Sequence, residues 1–174
     1  YRPSKHSLSQ SQILLRNYTA DEARLPMREM VESLVLELLQ IKAVTKCIHV
    51  HIGYAAEDVK STGGSRTLAH YTDSFQELCP AVLALFDKYK RPHELIRRIA
   101  VSFEELVNKA AVPTEMDLFS NALTEAAEQE EHIQKTMLNI KGRFGKNAIL
   151  RASSLQEEGT MQFRNTLVGG HNGE

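Results

Sequence analysis

Cysteine is scarce: the 174 residues hold two, Cys47 and Cys79, with no Cys-x-x-Cys pair. That excludes a dense disulfide framework and fits buried thiols in a reducing, cytosolic compartment. Neither cysteine has a His–Asp pattern beside it that would make it a nucleophile. No stretch comes near eighteen uninterrupted apolar residues, so no membrane-spanning helix is expected. The opening, Tyr1 to Gln12, is polar and lacks the apolar segment of a signal peptide. A phosphate-cradling G-x-x-x-x-G-K-[S/T] loop is missing, and Gly63-Gly64-Ser65 is too short to replace one. No run of carboxylates resembles a two-metal phosphoryl-transfer site. His49 and His51 share a strand face, but a zinc site needs further ligands and only His70 and His6 offer any, so surface histidines are the simpler reading. No catalytic or metal-ligating residue is expected in this chain. It opens at Tyr1 rather than Met and is read as a piece of something longer.

What is present is a foldable chain, 42% apolar, with a net charge of −1. The total hides a segregation. Residues 1–107 carry 14 Lys/Arg against 13 Asp/Glu, and residues 108–174 carry 7 against 9. Four windows, 1–20, 44–56, 59–72 and 96–103, contain no acid at all, yet hold Arg2, Lys5, Arg16, Lys46, Lys60, Arg66, Arg97 and Arg98.

Those windows coincide with strand signals. Ile48, Val50 and Ile52 alternate with His49, His51 and Gly53, and Ile99, Val101 and Phe103 alternate with Arg98, Ala100 and Ser102. Arg66 to Tyr71 reads as a strand after a turn-prone Ser61-Thr62-Gly63-Gly64-Ser65 hairpin loop, and Ser7 to Leu15 is a weaker strand. Two helical stripes separate them. Met30, Leu34, Leu38 and Ile41 form the first, which starts or kinks at Pro26 after the capping-box pattern Thr19-Ala20-Asp21-Glu22. Leu78, Val82, Leu85, Phe86 and Tyr89 form the second, with Pro80 placed in its first turn.

The order β-α-β-β-α-β predicts an α+β domain of split βαβ type over residues 1–107, a four-stranded sheet with both helices on one face. A tail follows in 108–174: a linker, a helix over Asn121 to Lys141 ended by Gly142, and a flexible end from Gly159 onward. The uncovered sheet face would present His49, His51, Arg98, Ser102 and one side of the Arg66 strand. A polar, basic, carboxylate-free face suits a phosphate backbone; a merely solvated face remains open. Arg97 is open in the same way, either a phosphate ligand or the partner of Glu94 or Glu104. RNA binding by a similar sheet is disfavoured because the central strands lack a stacking aromatic pair, Tyr71 and Phe103 being the available candidates. The other competing function is a protein-interaction module, a homodimer made through the tail's Ile133, Met137, Ile140 stripe or the sheet face.

Three segments carry a resemblance. Ile96-Arg97-Arg98-Ile99-Ala100-Val101-Ser102-Phe103 resembles the last strand of the little finger, or polymerase-associated domain, of Y-family lesion-bypass DNA polymerases. Gly64-Ser65-Arg66-Thr67 resembles its third strand and Ser4-Lys5-His6-Ser7-Leu8-Ser9 its first. In the tail, Glu115-Met116-Asp117-Leu118-Phe119 is similar to the Gln-Leu-[Ser/Asp]-Leu-Phe peptide that binds the bacterial sliding clamp, with Glu and Met where the pattern has Gln and Leu. Phe144 to Leu150 and Gly169-Gly170-His171 resemble the end of the UmuC-like, UV-damage-repair branch. The resemblance implies a non-catalytic, DNA-gripping part of a bacterial, cytoplasmic, nucleoid-associated enzyme of the SOS response. The polymerase active site and its Mg²⁺ would lie elsewhere. It implies contacts to primer–template duplex from Lys5, Ser7, Ser9, Ser65, Arg66, Thr67, Arg97, Arg98 and Ser102, with strand parity favouring Arg98 over Arg97. It also implies clamp binding through Glu115, Met116, Asp117, Leu118 and Phe119.

Overall fold

The computed structural model describes residues 7–112, 121–168 and 171–172. Six elements build the sheet domain in the expected order: β1 (Ser7–Tyr18), α1 (Ala20–Ile41), β2 (Ala43–Tyr54), β3 (Thr62–Thr72), α2 (Phe75–Tyr89) and β4 (Ile96–Glu104). The strands lie in the order β1-β4-β2-β3, every neighbour antiparallel. β4 therefore separates the two strands joined through α1, and β2 separates the two joined through α2, so each βαβ unit is split by a strand of the other. A two-residue strand, β5 (Val107–Asn108), adds to the start of β2.

Strand alternation builds the core. Ile48 pairs with Phe103, Val50 with Val101 and Ile52 with Ile99, and all six are completely buried beneath the helices. They meet Met27, Met30, Leu34 and Leu38 of α1 and Leu78, Val82 and Phe86 of α2. At about 1.5–3 kcal/mol per buried large apolar side chain, this layer is the main source of stability.

Both helices start earlier than their prolines suggest. Thr19 caps α1: its side chain accepts from the Glu22 N–H while the Glu22 carboxylate accepts from the Thr19 N–H at 2.7 Å. Arg16 and the Thr19 N–H hold the Glu22 carboxyl down to about 2. Ser74 caps α2 in the same way through the Glu77 N–H. Pro26 and Pro80 consequently sit inside their helices, beyond the first turn, rather than opening them. Burial of both helices against the sheet offsets the backbone hydrogen bond that each proline forgoes, and the caps fix where the helices begin. Gly63 and Gly64 belong to β3, not to a loop. A Cβ on Gly64 would collide with the Tyr89 ring of α2, so close packing, not turn geometry, explains the glycine there.

The tail is not a loose appendage. α3 (Asn121–Phe144) runs through Gly142 and ends before Gly145, whose φ of +98° suits glycine. Met137 and Gln134 are buried beneath it while Ile133 of the expected apolar stripe is exposed. Glu130 reaches α2, accepting from Ser74 Oγ at 2.7 Å and from the Gln76 N–H at 2.9 Å.

The segment expected to be flexible forms a short helix, α4 (Met161–Arg164), and docks on α1. Glu29 of α1 is 2% exposed, and its Oε2 accepts from the Thr160 N–H (2.8 Å), the Thr160 hydroxyl (3.0 Å) and the Met161 N–H (2.9 Å). Glu32, one turn on, is 3% exposed and lies 3.2 Å from Arg151 Nε. Arg151 in turn stacks over Phe75.

Removing the Glu29 carboxylate leaves two N–H groups and a hydroxyl buried without their acceptor, at a cost of about 1–3 kcal/mol. Glu29→Ala should lower the free energy of unfolding by that amount, with a correspondingly lower urea midpoint, and speed amide exchange at Thr160 and Met161. Unchanged exchange at those two amides would mean that the carboxylate does not hold the tail.

Candidate nucleic-acid interface

Directly paired residues in an antiparallel sheet place their side chains on one face, so the register defines the uncovered face row by row. One row crosses all four strands as Ser9, Ser102, His49 and Ser65. On one side of it lies Ser7, Glu104, Cys47 and Thr67, and on the other Ser11, Ala100, His51 and Gly63. A fourth row, Ile13, Arg98 and Gly53, closes the face. Rows are about 6.7 Å apart, two residues of strand. The hydroxyls of Ser7, Ser9, Ser11, Ser65 and Thr67 are on exposed residues. His49 Nδ1 and Ser65 Oγ are hydrogen-bonded at 2.9 Å, tying β2 to its edge neighbour across the face.

Arg98 lies over Gly53, where a Cβ would approach the Arg98 Cβ to 3.1 Å, so the glycine leaves room for the arginine to cross the strand. Neither Arg98 nor Arg97 forms an ion pair among the described residues, with Glu94 and Glu104 included. β4 holds one extra residue between Ile96 and Arg98 relative to Gly53–Tyr54 of β2. This bulge makes Arg97 the unpaired residue and leaves it half-buried beside the exposed Arg98.

Two expectations are corrected. Arg66 pairs with Ile48, whose side chain points to the helices, so alternation puts Arg66 on the helix side of edge strand β3, with Leu68 and His70. His70 confirms the side by hydrogen-bonding Glu77 of α2. Ser65 and Thr67 are the residues of that motif on the uncovered face. The face is also not free of carboxylate, because β4 extends to Glu104 and places it in the Ser7 row. Hydroxyls, more than basic side chains, characterise the surface. Lys5 and the segment Glu115 to Phe119 lie outside the described residues.

Among the described residues the tail leaves most of the face open and meets it along the outer edge of β1, near Ile13 and Arg98. Its hydrogen bonds to β1 involve Gln10, which accepts from Arg164 at 2.6 Å, Gln12, which donates to the Thr160 hydroxyl at 3.0 Å, and Tyr18, whose hydroxyl donates to the Glu158 carbonyl at 3.2 Å. Both glutamines alternate with the exposed serines and belong to the helix side.

Such an arrangement, two split βαβ units with helices on one side and a flat hydroxylic sheet on the other, defines a sheet-presenting α+β domain. The chain belongs to the impB/mucB/samB family C-terminal domain, whose model matches residues 5–118. Among its relatives is the Bacillus subtilis (strain 168) protein UvrX, to which UV-damage repair is ascribed, 29% identical over 95% of this chain and 38% of UvrX. Another is DNA polymerase IV of Bacillus velezensis, 31% identical over 71% of this chain and 29% of the polymerase. The chain thus spans less than two fifths of these relatives' length. A solved complex of a beta-clamp processivity factor with the little finger domain of PolIV aligns with a TM-score of 0.47 and 12% identity, over 66% of this chain and 99% of that one. The family and the relatives bear out the little finger resemblance read from the strand motifs.

Cys47 lies in the Ser7 row, beside Thr67, and Cys79 lies in the core. Burial, reinforced at Cys47 by Glu104, pushes both thiols above their ordinary value. At pH 8 an aromatic disulfide reagent should therefore label the native protein far more slowly than the urea-unfolded protein. Labelling of either thiol at the unfolded rate would contradict its placement.

Proposed function

We propose that this chain is the DNA-binding part of a lesion-bypass DNA polymerase, holding primer–template duplex through phosphate contacts on its uncovered sheet face. The observation that carries the reading is the Ser9–Ser102–His49–Ser65 row with Arg98, which has no ion-pair partner among the described residues, beside it on the uncovered face. Four strands spaced at about 4.8 Å span about 14 Å, comparable to the ~12 Å width of a B-DNA major groove. Short hydroxyls and exposed backbone donate to phosphate oxygens without reading bases, and Arg98 supplies the charge-assisted fork. Ser7, Ser9, Ser65, Thr67, Arg98 and Ser102 form the grip, Arg97 flanks it, and Lys5, outside the described residues, is a further candidate contact. Arg66 has at most an edge role. The catalytic carboxylates and Mg²⁺ of the complete enzyme belong to residues outside this chain, and the natural setting is the bacterial cytoplasm during the response to UV damage.

Fluorescence anisotropy of a labelled primer–template at two salt concentrations tests the grip. Binding should ignore base sequence and weaken as salt rises. Arg98→Ala should flatten the log–log salt slope by about one unit, as expected for one lost phosphate contact, and Arg66→Ala should change it less. No binding at low salt, or an Arg98→Ala protein indistinguishable from wild type, sinks the grip. The protein-interaction reading would then lead, with exposed Ile133 as its handle and the solution mass as its check.

We further infer that Glu115 to Phe119 docks in the groove of a bacterial sliding clamp, Leu118 and Phe119 providing the buried anchors. A clamp pull-down should be lost on Leu118→Ala/Phe119→Ala. Retention by the double variant rules the peptide out.

A further inference from the structure

At the outer edge of β1 the uncovered face meets the docked tail in a groove of about 460 Å³. Its walls include Ile13 and Leu15 of β1, Arg98 of β4, and Thr160, Phe163 and Arg164 of the tail. Three of these are apolar side chains that the fold leaves open: Ile13 is 60%, Leu15 54% and Phe163 45% exposed. Apolar side chains beside each other at a surface mark a binding site more often than isolated ones do. They serve no purpose in holding phosphates, so the grip on the sheet face does not account for them.

The charge of the groove is one-sided. Among the described residues its lining contains no carboxylate and two guanidiniums. Arg98 has no ion-pair partner among the described residues. Arg164 donates from Nη2 to Gln10, while its Nη1 is enclosed with no acceptor among the described residues. Burial pushes this guanidinium below its ordinary value, and Glu29 opposes the shift. An aromatic ring, two aliphatic side chains and two arginines are the chemistry that accepts a flat base together with its phosphates. A paired base cannot offer its face, so the match is to an unpaired nucleotide. The volume falls within the ~300–1,000 Å³ range of small-ligand sites. Arg98 also ends the fourth row of the sheet face, which makes groove and face one continuous surface.

We propose that this groove holds an unpaired nucleotide of single-stranded DNA running on from the duplex, its base against Phe163 and its phosphates at Arg98 and Arg164. The proposal rests on the DNA-gripping reading above and adds to it a site contributed by the tail.

The test titrates two labelled probes, a blunt duplex and the same duplex carrying a short oligo-dT overhang, with wild type, Phe163→Ala and Phe163→Tyr. Wild type should prefer the overhang probe. Phe163→Ala should erase that preference, weakening overhang binding by about tenfold, and leave blunt-duplex affinity unchanged. Phe163→Tyr, which keeps an aromatic face, should retain the preference. Equal affinity of wild type for both probes overturns the proposal and leaves the duplex grip standing. Equal loss on both probes in Phe163→Ala overturns it too, as does failure of Phe163→Tyr to retain the preference. If an acidic peptide competes at the groove while the overhang has no effect, the site belongs to a protein partner and the proposal falls. If wild type binds neither probe, the DNA-gripping reading itself has failed.

Discussion

The central strands β2 and β4 face two media at once, and that constraint decides everything built around them. Ile48, Val50, Ile52, Ile99, Val101 and Phe103 must all point to the helices. Once they do, a period of two sends His49, His51, Arg98 and Ser102 to the other side with no further choice. A slip of one residue would bury the arginine and expose the isoleucines. The pairing of Ile48 with Phe103 and of His49 with Ser102 is thus a single fact viewed from opposite faces. The flat hydroxylic surface is the complement of the apolar core.

The tail depends on a second requirement, that no carboxylate stays buried alone. Glu29 and Glu32 lie on α1, and among the described residues their side-chain partners come from the tail. A buried carboxylate without partners costs several kcal/mol, so these two side chains make the sheet domain and its tail interdependent. Glu130 works in the other direction, with α3 supplying an acceptor to the first turn of α2. Because these ties lie on the helix side, the described part of the tail adds a third layer there and reaches the sheet face at the outer edge of β1.

Much of this was legible in the chain. Alternation in Ile48–Gly53 and Arg98–Phe103 is local, strong and set by burial, so it gave both central strands and their faces. What failed was non-local. Gly63-Gly64 reads as a turn until Tyr89 is seen to pack against it. Arg66 was placed by its motif rather than by its parity, and a register that pairs it with Ile48 cannot be read from β3 alone. The capping box at Thr19 is legible in the chain, but Pro26 points to a later start or a kink, and the cap at Ser74 emerges only from the structure. The docking of α4 was hidden because its signal is Glu29, an acid buried on α1 about 130 residues from the groups that satisfy it. A glutamate that helical periodicity puts on a buried face was the available clue.

The serine rows have a consequence in conformational entropy. A lysine or arginine surrenders up to about 2 kcal/mol of side-chain freedom when it is pinned, whereas a serine has little to surrender. A hydroxyl can also turn its hydrogen toward an acceptor without moving a heavy atom. Ser7, Ser9, Ser11, Ser65 and Ser102 therefore form a surface that needs almost no ordering to engage a partner, and none to let it shift by one repeat. Tolerance of an irregular partner, rather than tightness, is what a face of this composition provides.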